Sequence, residues 1–243
     1  MTNSPGTLTI TTSLAREPLL EQLRKWQPWR HEICFSNGVK TSDLQTTTPF
    51  TRTPLNKINA LEAHLPMEDL KGGRALDIGF NAGYNSIYLA TRYGMKVTGV
   101  DVWDRHKDVA EFLAAQASCE STEFMLHDAT TFVRPDTFDL ILHFGTLYHL
   151  PNPLLSLENC ARSLRKGGYL GLETTCYLGS DPSLCKFVWG FNGDRTNFWA
   201  LSKPVLEDVL RLYGLTDVRL LLEAKMEIYK GEMSRVLYVA CKT

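Results

Sequence analysis

From Arg74 onward, short apolar runs alternate with segments of helical periodicity, and this alternation limits the fold more than any other feature. Runs such as RALDIGF, KVTGVDV and TFDLILHFG have the length and apolar content of buried strands. Helix-like stretches such as NSIYLATRYG separate them, and strands joined by helices run parallel with helices on both faces. The last two runs, DVRLLLEA and RVLYVACK, have no helical pattern between them. The sequence therefore predicts an α/β fold with a mostly parallel sheet, closed by two antiparallel neighbours.

The first predicted strand runs directly into a glycine loop, in the stretch ALDIGFNAGY. Ligands of parallel sheets bind beyond the carboxyl ends of the strands, so the loop offers Asp77, Gly79, Asn81 and Gly83 as cofactor-binding candidates. A dinucleotide fingerprint requires glycine at the positions of Asn81 and Tyr84, where this chain has none. The loop therefore favours a ligand without a pyrophosphate. A tight turn that needs only the backbone freedom of glycine is the alternative.

Acidic side chains also follow the second and third predicted strands. Asp101 lies about 20 residues past the glycine loop, where a carboxylate can accept hydrogen bonds from both hydroxyls of a ribose. Asp128 and Ala129 follow the third strand, where a short polar side chain can contact the exocyclic amine of adenine, and Val102 offers an apolar face for the ring. The alternatives are a helix-capping aspartate and an ordinary turn. Together these features call for a ligand with an adenosine, no phosphate and a charged amino-acid tail. S-adenosylmethionine is such a ligand, and we expect it as the cofactor.

Aromatic and titratable side chains follow the fourth and fifth strands. Phe144 and Tyr148 are expected beside the cofactor, because an aromatic face favours a sulfonium cation by roughly 0.5–2 kcal/mol. His149, Glu173 and His31, in that order, are the candidates for a catalytic general base. A base helps only if the methyl acceptor is a hydroxyl or a protonated amine.

Residues 176–201 form an insert between the fifth strand and the next helix. Its mixture of aromatic and polar side chains is typical of a lid that binds a small organic substrate and excludes water. A packed surface excursion is the alternative. The candidate substrate-binding side chains of the insert are Trp189, Phe191, Asn192, Arg195 and Trp199.

Composition and charge limit the partners and the location. The formal net charge of −1 gives no overall electrostatic reason to expect a nucleic acid. Six cysteines are scattered without a C-x-x-C pair, which favours reduced thiols and no metal site. Neither a signal peptide nor a membrane span is visible in the sequence, so we expect a cytoplasmic protein. We expect a monomer or a homodimer. Residues 1–70 are expected to pack over the active site as a helical and loop segment, and residues 71–243 to form the catalytic domain.

The phrases DIGFNAGY, FGTLYHLPNPLLSLE and LET resemble class I S-adenosylmethionine-dependent methyltransferases. Within that superfamily they are similar to the branch that includes the bacterial tRNA wobble-uridine carboxymethyltransferase, over well more than half of the chain. The resemblance implies a Rossmann-like sheet of seven strands with the last one antiparallel. It also implies that Tyr148 and Arg235 lie near the extra carboxylate of a carboxylated cofactor, which makes Arg235 a further substrate-side candidate. His31 stands where that branch has lysine, and TSDLQTTTPFTRT replaces its tryptophan-rich segment.

These observations predict a methyltransferase that uses ordinary S-adenosylmethionine and a small organic acceptor, at an oxygen, nitrogen, sulfur or carbon atom. Secondary metabolism is a setting suggested by analogy alone. A tRNA-modifying (carboxy)methyltransferase is the first alternative, and a basic surface with salt-sensitive RNA binding would favour it. A non-catalytic S-adenosylmethionine-binding module is the second alternative, which cofactor binding without activity would favour.

Overall fold

The computed structural model describes residues 8–44, 53–226 and 232–243, and these fall into two compact units. The first unit takes its residues from the ranges 1–73 and 80–126, and the second from 74–79 and 127–243. The boundary predicted at residue 70 stays a prediction.

The first unit combines two pairs of parallel strands with helices. Its strands are β1 (Thr9–Ile10), β2 (Cys34–Phe35), β4 (Lys96–Asp101) and β5 (Thr122–Leu126), and its helices are α1 (Arg16–Arg24), α2 (Thr53–His64), α3 (Tyr84–Tyr93) and α4 (Asp104–Gln116). Strand β1 pairs with β2, and β4 pairs with β5.

The N-terminal segment contributes to the apolar core of the first unit. Leu19 and Leu23 of α1 and Phe35 of β2 belong to the same buried cluster as Ile87 of α3 and Leu113 of α4. Full burial of an aliphatic or aromatic side chain contributes roughly 1.5–3 kcal/mol. Apolar burial therefore fixes this segment on α3 and α4.

The second unit contains, in its described residues, a mixed sheet and two α-helices. Its elements are β3 (Arg74–Ile78), β6 (Phe138–Phe144), α5 (Pro153–Ser163), β7 (Leu164–Tyr177), β8 (Lys186–Phe187), β9 (Trp199–Ser202), α6 (Lys203–Leu212), β10 (Leu215–Met226) and β11 (Met233–Lys242). Strands β3, β6 and β7 are parallel, and β11 is antiparallel to both β7 and β10. The prediction that the last strand is antiparallel and lies beside the preceding one is confirmed.

Strand β6 has the character of a strand covered on both faces. Its residues Leu140, Ile141 and Leu142 are fully buried in succession, as expected for the interior of a parallel sheet. In the second unit the strand order is β10–β11–β7–β6–β3, and the short β9 pairs with both β7 and β8. None of the helices in the described ranges is long and apolar enough to cross a membrane.

Candidate functional site

The carboxylate of Asp101, at the carboxyl end of β4, accepts hydrogen bonds from four donors. Its Oδ1 accepts from the backbone N–H groups of Val102 at 2.7 Å and Trp103 at 3.1 Å. Its Oδ2 accepts from the backbone N–H of Asn81 at 3.1 Å and from Nδ1 of His106 at 3.0 Å. These bonds hold the buried carboxylate in one orientation.

The glycine loop follows β3, and its backbone adopts positive φ angles that favour glycine. At Gly79, φ is +72°, and a Cβ atom would lie 2.0 Å from Oγ1 of Thr146. At Gly83, φ is +74°, and a Cβ atom would lie 3.1 Å from the ring of Phe124. Between them, Asn81 is also left-handed, with φ of +52°. Conformation and close packing thus account for both glycines, and their contacts with a cofactor stay a prediction.

Apolar surface lies directly after the Asp101 carboxylate. The side chains of Val102 and Trp103 are 62% and 60% exposed, which leaves their faces available to a flat ring. In the second unit, Oδ1 of Asp128 accepts from both the backbone N–H and the hydroxyl of Thr130, each at 2.7 Å. Asp128 therefore forms the ordinary turn considered above, and its adenine contact stays a prediction.

A buried ion pair connects β7 and β11 in the second unit. Nε of Arg235 donates to Oε1 of Glu173 at 2.5 Å, and Nη1 of Arg235 donates to the hydroxyl of Tyr148 at 2.8 Å. The Glu173 side chain is only 4% exposed. Although burial opposes its charge, the Glu173 carboxylate holds the pKa of Arg235 above its usual range. Because the charge of Glu173 is engaged by Arg235, the pair favours a role in holding the Tyr148 hydroxyl over proton abstraction.

His149 is held by Thr196 of the insert. Its Nδ1 lies 2.9 Å from Oγ1 and 3.2 Å from the carbonyl of Thr196, whose hydroxyl itself donates to Asp194. Two acceptors at Nδ1 assign the proton to that nitrogen and the lone pair to Nε2. The His149 ring also lies 4.4 Å from the ring of Tyr148. Its orientation and tautomer are those that a general base requires.

His31, the third candidate base, belongs to the first unit. Burial lowers its pKa to about 3, and the charges of Lys57 and Arg30 add to this effect. Its ring lies 5.5 Å from the ring of Tyr84. An imidazole with so low a pKa takes up a proton poorly at neutral pH, so His31 is a weaker candidate than His149.

The predicted substrate residues of the insert fall into two groups. Phe191 is 1% exposed, and its ring lies 6.0 Å from that of Tyr148. Trp189 is 63% exposed, and the guanidinium of Arg195 lies 5.2 Å from its ring. The indole N–H of Trp199 donates to a backbone carbonyl at 3.1 Å. The side chain of Asn192 lies outside the described part of the structure, and the substrate roles of all five stay predictions.

Sequence reasoning missed His106 and Thr196. His106 lies five residues after Asp101 on the first turn of α4, a spacing that could have identified it. Thr196 lies 47 residues from His149, and no pattern in the sequence connects them. In the described ranges, no group of three or more His, Cys, Asp or Glu side chains could hold a metal ion.

Comparison with known proteins supplies a family and relatives. Residues 76–172 match the model of a family described as a methyltransferase domain. The chain is 30% identical over 125 residues to the ubiquinone biosynthesis O-methyltransferase of Vibrio cholerae, covering 50% of this chain and 51% of that protein. It is 30% identical over 163 residues to the tRNA U34 carboxymethyltransferase of Desulfotalea psychrophila, covering 67% and 48%. The chain thus spans about half the length of these relatives.

Solved structures resemble most or nearly all of the chain. The N-terminal domain of EvdMO1 with SAH bound has a TM-score of 0.76 at 18% identity, covering 99% of this chain and 100% of that one. A phosphoethanolamine N-methyltransferase 2 of Haemonchus contortus, in complex with S-adenosyl-L-methionine, has a TM-score of 0.64 at 15% identity, covering 80% and 53%. At these identities the likeness concerns the fold, and it confirms the predicted Rossmann-like α/β class.

Proposed function

We propose that this chain, which carries a class I S-adenosylmethionine-dependent methyltransferase domain, transfers a methyl group from S-adenosylmethionine to a small organic acceptor. The match of residues 76–172 to a methyltransferase-domain family supports the class predicted from the glycine loop and the LYH phrase. The acceptor and the residue roles are the proposed part. The observation that carries the proposal is the buried Asp101 carboxylate at the carboxyl end of β4, which is where a ribose-binding acid belongs in such a sheet.

The cofactor-binding residues follow from the chemistry at each strand end. Asp77, 1% exposed on β3, is assigned to the ammonium end, next to the loop of Gly79, Asn81 and Gly83. Asp101 is assigned to the ribose. The remaining assignments are apolar or polar contacts to adenine and the sulfonium, made by Val102, Asp128, Ala129, Phe144 and Tyr148.

The transfer requires positioning more than proton chemistry. When bound, S-adenosylmethionine supplies an electrophilic methyl group on a sulfonium. An acceptor atom held in line at about 3 Å gains most of its rate from that placement. For a hydroxyl acceptor, Nε2 of His149 takes the proton as the new bond forms. The Tyr148 hydroxyl, held by Arg235, orients the acceptor beside it.

A small hydroxyl-bearing acceptor is supported by two likenesses. The match with the EvdMO1 N-terminal domain extends over almost all of this chain and all of that domain. One structure of the domain was obtained in the presence of SAH and D-fucose. The Vibrio cholerae relative is an O-methyltransferase by name. D-fucose is a small molecule with hydroxyl groups, the name of the Vibrio cholerae relative favours oxygen as the methylated atom, and His149 provides the base that a hydroxyl needs.

A tRNA (carboxy)methyltransferase is the second candidate. It is favoured by the Desulfotalea psychrophila relative, whose match extends over 67% of this chain. Tyr148 and Arg235, which the resemblance assigns to a cofactor carboxylate, are in direct contact. A carboxylated cofactor that binds more tightly than the ordinary one, together with RNA binding that weakens steeply with salt, would favour this candidate.

The test combines calorimetry with an acceptor screen. Wild type should bind S-adenosylhomocysteine, and Asp101→Ala should weaken that binding at least about tenfold because two charge-assisted hydrogen bonds to the ribose are lost. Glu120→Ala, an exposed carboxylate on the surface of the same unit, is the control. Labelled S-adenosylmethionine offered with deoxysugars, phenols, amines and tRNA then identifies the acceptor class. No binding by wild type would refute the proposal, and binding without any transfer would favour the non-catalytic module.

A further inference from the structure

The Asp101 carboxylate has no lone pair left over in this structure. A carboxylate offers about four acceptor positions, and four donors from the protein occupy those of Asp101. If Asp101 holds the cofactor ribose, as the proposed function requires, the two ribose hydroxyls must replace at least one of these donors.

Only one of the four donors can leave without disturbing the backbone. Three are main-chain N–H groups of Asn81, Val102 and Trp103, which the loop and the start of α4 hold in place. The fourth is Nδ1 of His106, at the end of a side chain that is 29% exposed. Rotation of one side chain removes this donor.

The surroundings of His106 leave room for that rotation. His106 lines a cavity of about 170 Å³ together with Asn81, Arg30 and Arg105. Its Nε2 lies 3.5 Å from Nδ2 of Asn81, a contact at the limit of a hydrogen bond. The His106 ring is therefore held mainly by Asp101, and it can rotate into the adjacent cavity.

We propose that His106 is the exchangeable donor of the cofactor site: it occupies the ribose position on Asp101 in the cofactor-free protein and yields that position to the ribose hydroxyls. Binding of the nucleoside then costs the His106–Asp101 hydrogen bond. His106 thereby sets how tightly the protein holds both its cofactor and the S-adenosylhomocysteine product.

The experiment is calorimetry with S-adenosylhomocysteine at pH 8 on four proteins. Wild type and His64→Ala, which removes an exposed histidine of α2, should bind with the same dissociation constant. His106→Ala should bind about threefold to tenfold more tightly, since one competing hydrogen bond is gone. His106→Asn keeps a donor within reach of Asp101, so we expect wild-type affinity.

The outcomes separate this proposal from the function on which it rests. Failure of wild type and His64→Ala to bind would overturn both. Normal binding by wild type, with unchanged or weaker binding by His106→Ala, would overturn the exchange alone. Thermal denaturation of each variant shows whether it is folded, and if His106→Ala is not, His106→Leu, which also removes the donor, decides by the same comparison.

Discussion

Neutralising Glu173 tests whether the ion pair between β7 and β11 is a buried charge pair. Glu173→Gln keeps the size and the hydrogen-bond acceptor of the side chain but removes its charge. Arg235 then remains as a cation with a neutral partner. The Glu173 side chain is 4% exposed and that of Arg235 is 28% exposed, so water can compensate only part of the loss.

The magnitude follows from this burial. Removing one member of a fully buried pair costs about 3–5 kcal/mol. Because Arg235 retains some access to water and its bond to Tyr148, we expect Glu173→Gln to lower the free energy of unfolding by ~2–4 kcal/mol. Arg235→Met combined with Glu173→Gln leaves no charge unpaired, so the double variant should lose at least ~1 kcal/mol less than the sum of the two single variants.

Urea denaturation of the four proteins measures these differences. The matched control is Asp208→Asn, which removes the charge of an exposed pair with Arg211 at 3.0 Å on α6. Exposed pairs of this kind contribute at most ~1 kcal/mol. A loss in Glu173→Gln no larger than in the control, or additive effects in the double variant, would refute the assignment of a buried, mutually dependent pair.

Two further predictions concern the backbone and the pH dependence of stability. Gly79→Ala should destabilise the protein by more than ~3 kcal/mol in urea denaturation, because a Cβ 2.0 Å from Thr146 adds a clash to the strain of a positive φ. The control Gly38→Ala, at φ +83° with open space around it, should lower the free energy of unfolding by only ~1–2 kcal/mol. Equal losses in the two variants would contradict the clash. Burial lowers the pKa of His143 to about 4 from 6.5, so the unfolded chain binds the extra proton and stability is lost as pH falls through that window, at up to ~1.4 kcal/mol per pH unit. His143→Gln should show a shallower decline between pH 6.5 and 4 in urea titrations at each pH, and an unchanged slope would mean that His143 does not titrate in this way.

The pattern of apolar residues was sufficient for the succession of the predicted strands along the chain and for their directions. Strand periodicity, helix periodicity and the glycines between them are local properties, and each short segment expresses them without its neighbours. They placed Asp77 and Asp101 at strand ends, and they made the last two strands antiparallel partners. The resemblance to methyltransferases lies in the same segments, because the cofactor chemistry of such sheets is concentrated at the strand ends. Cytoplasmic location, oligomeric state and the identity of the acceptor stay predictions.

Tertiary structure alone decided what the candidate site side chains contact. Glu173 meets Arg235 because the antiparallel register of β7 and β11 brings together residues 62 positions apart, and His149 meets Thr196 across 47 positions. Neither distance leaves a periodic trace in the sequence, since pairing of remote segments depends on how the whole chain packs. The same holds for Asp101: the sequence identified the carboxylate, but the number of donors that already surround it is a property of the folded loop and of the first turn of α4.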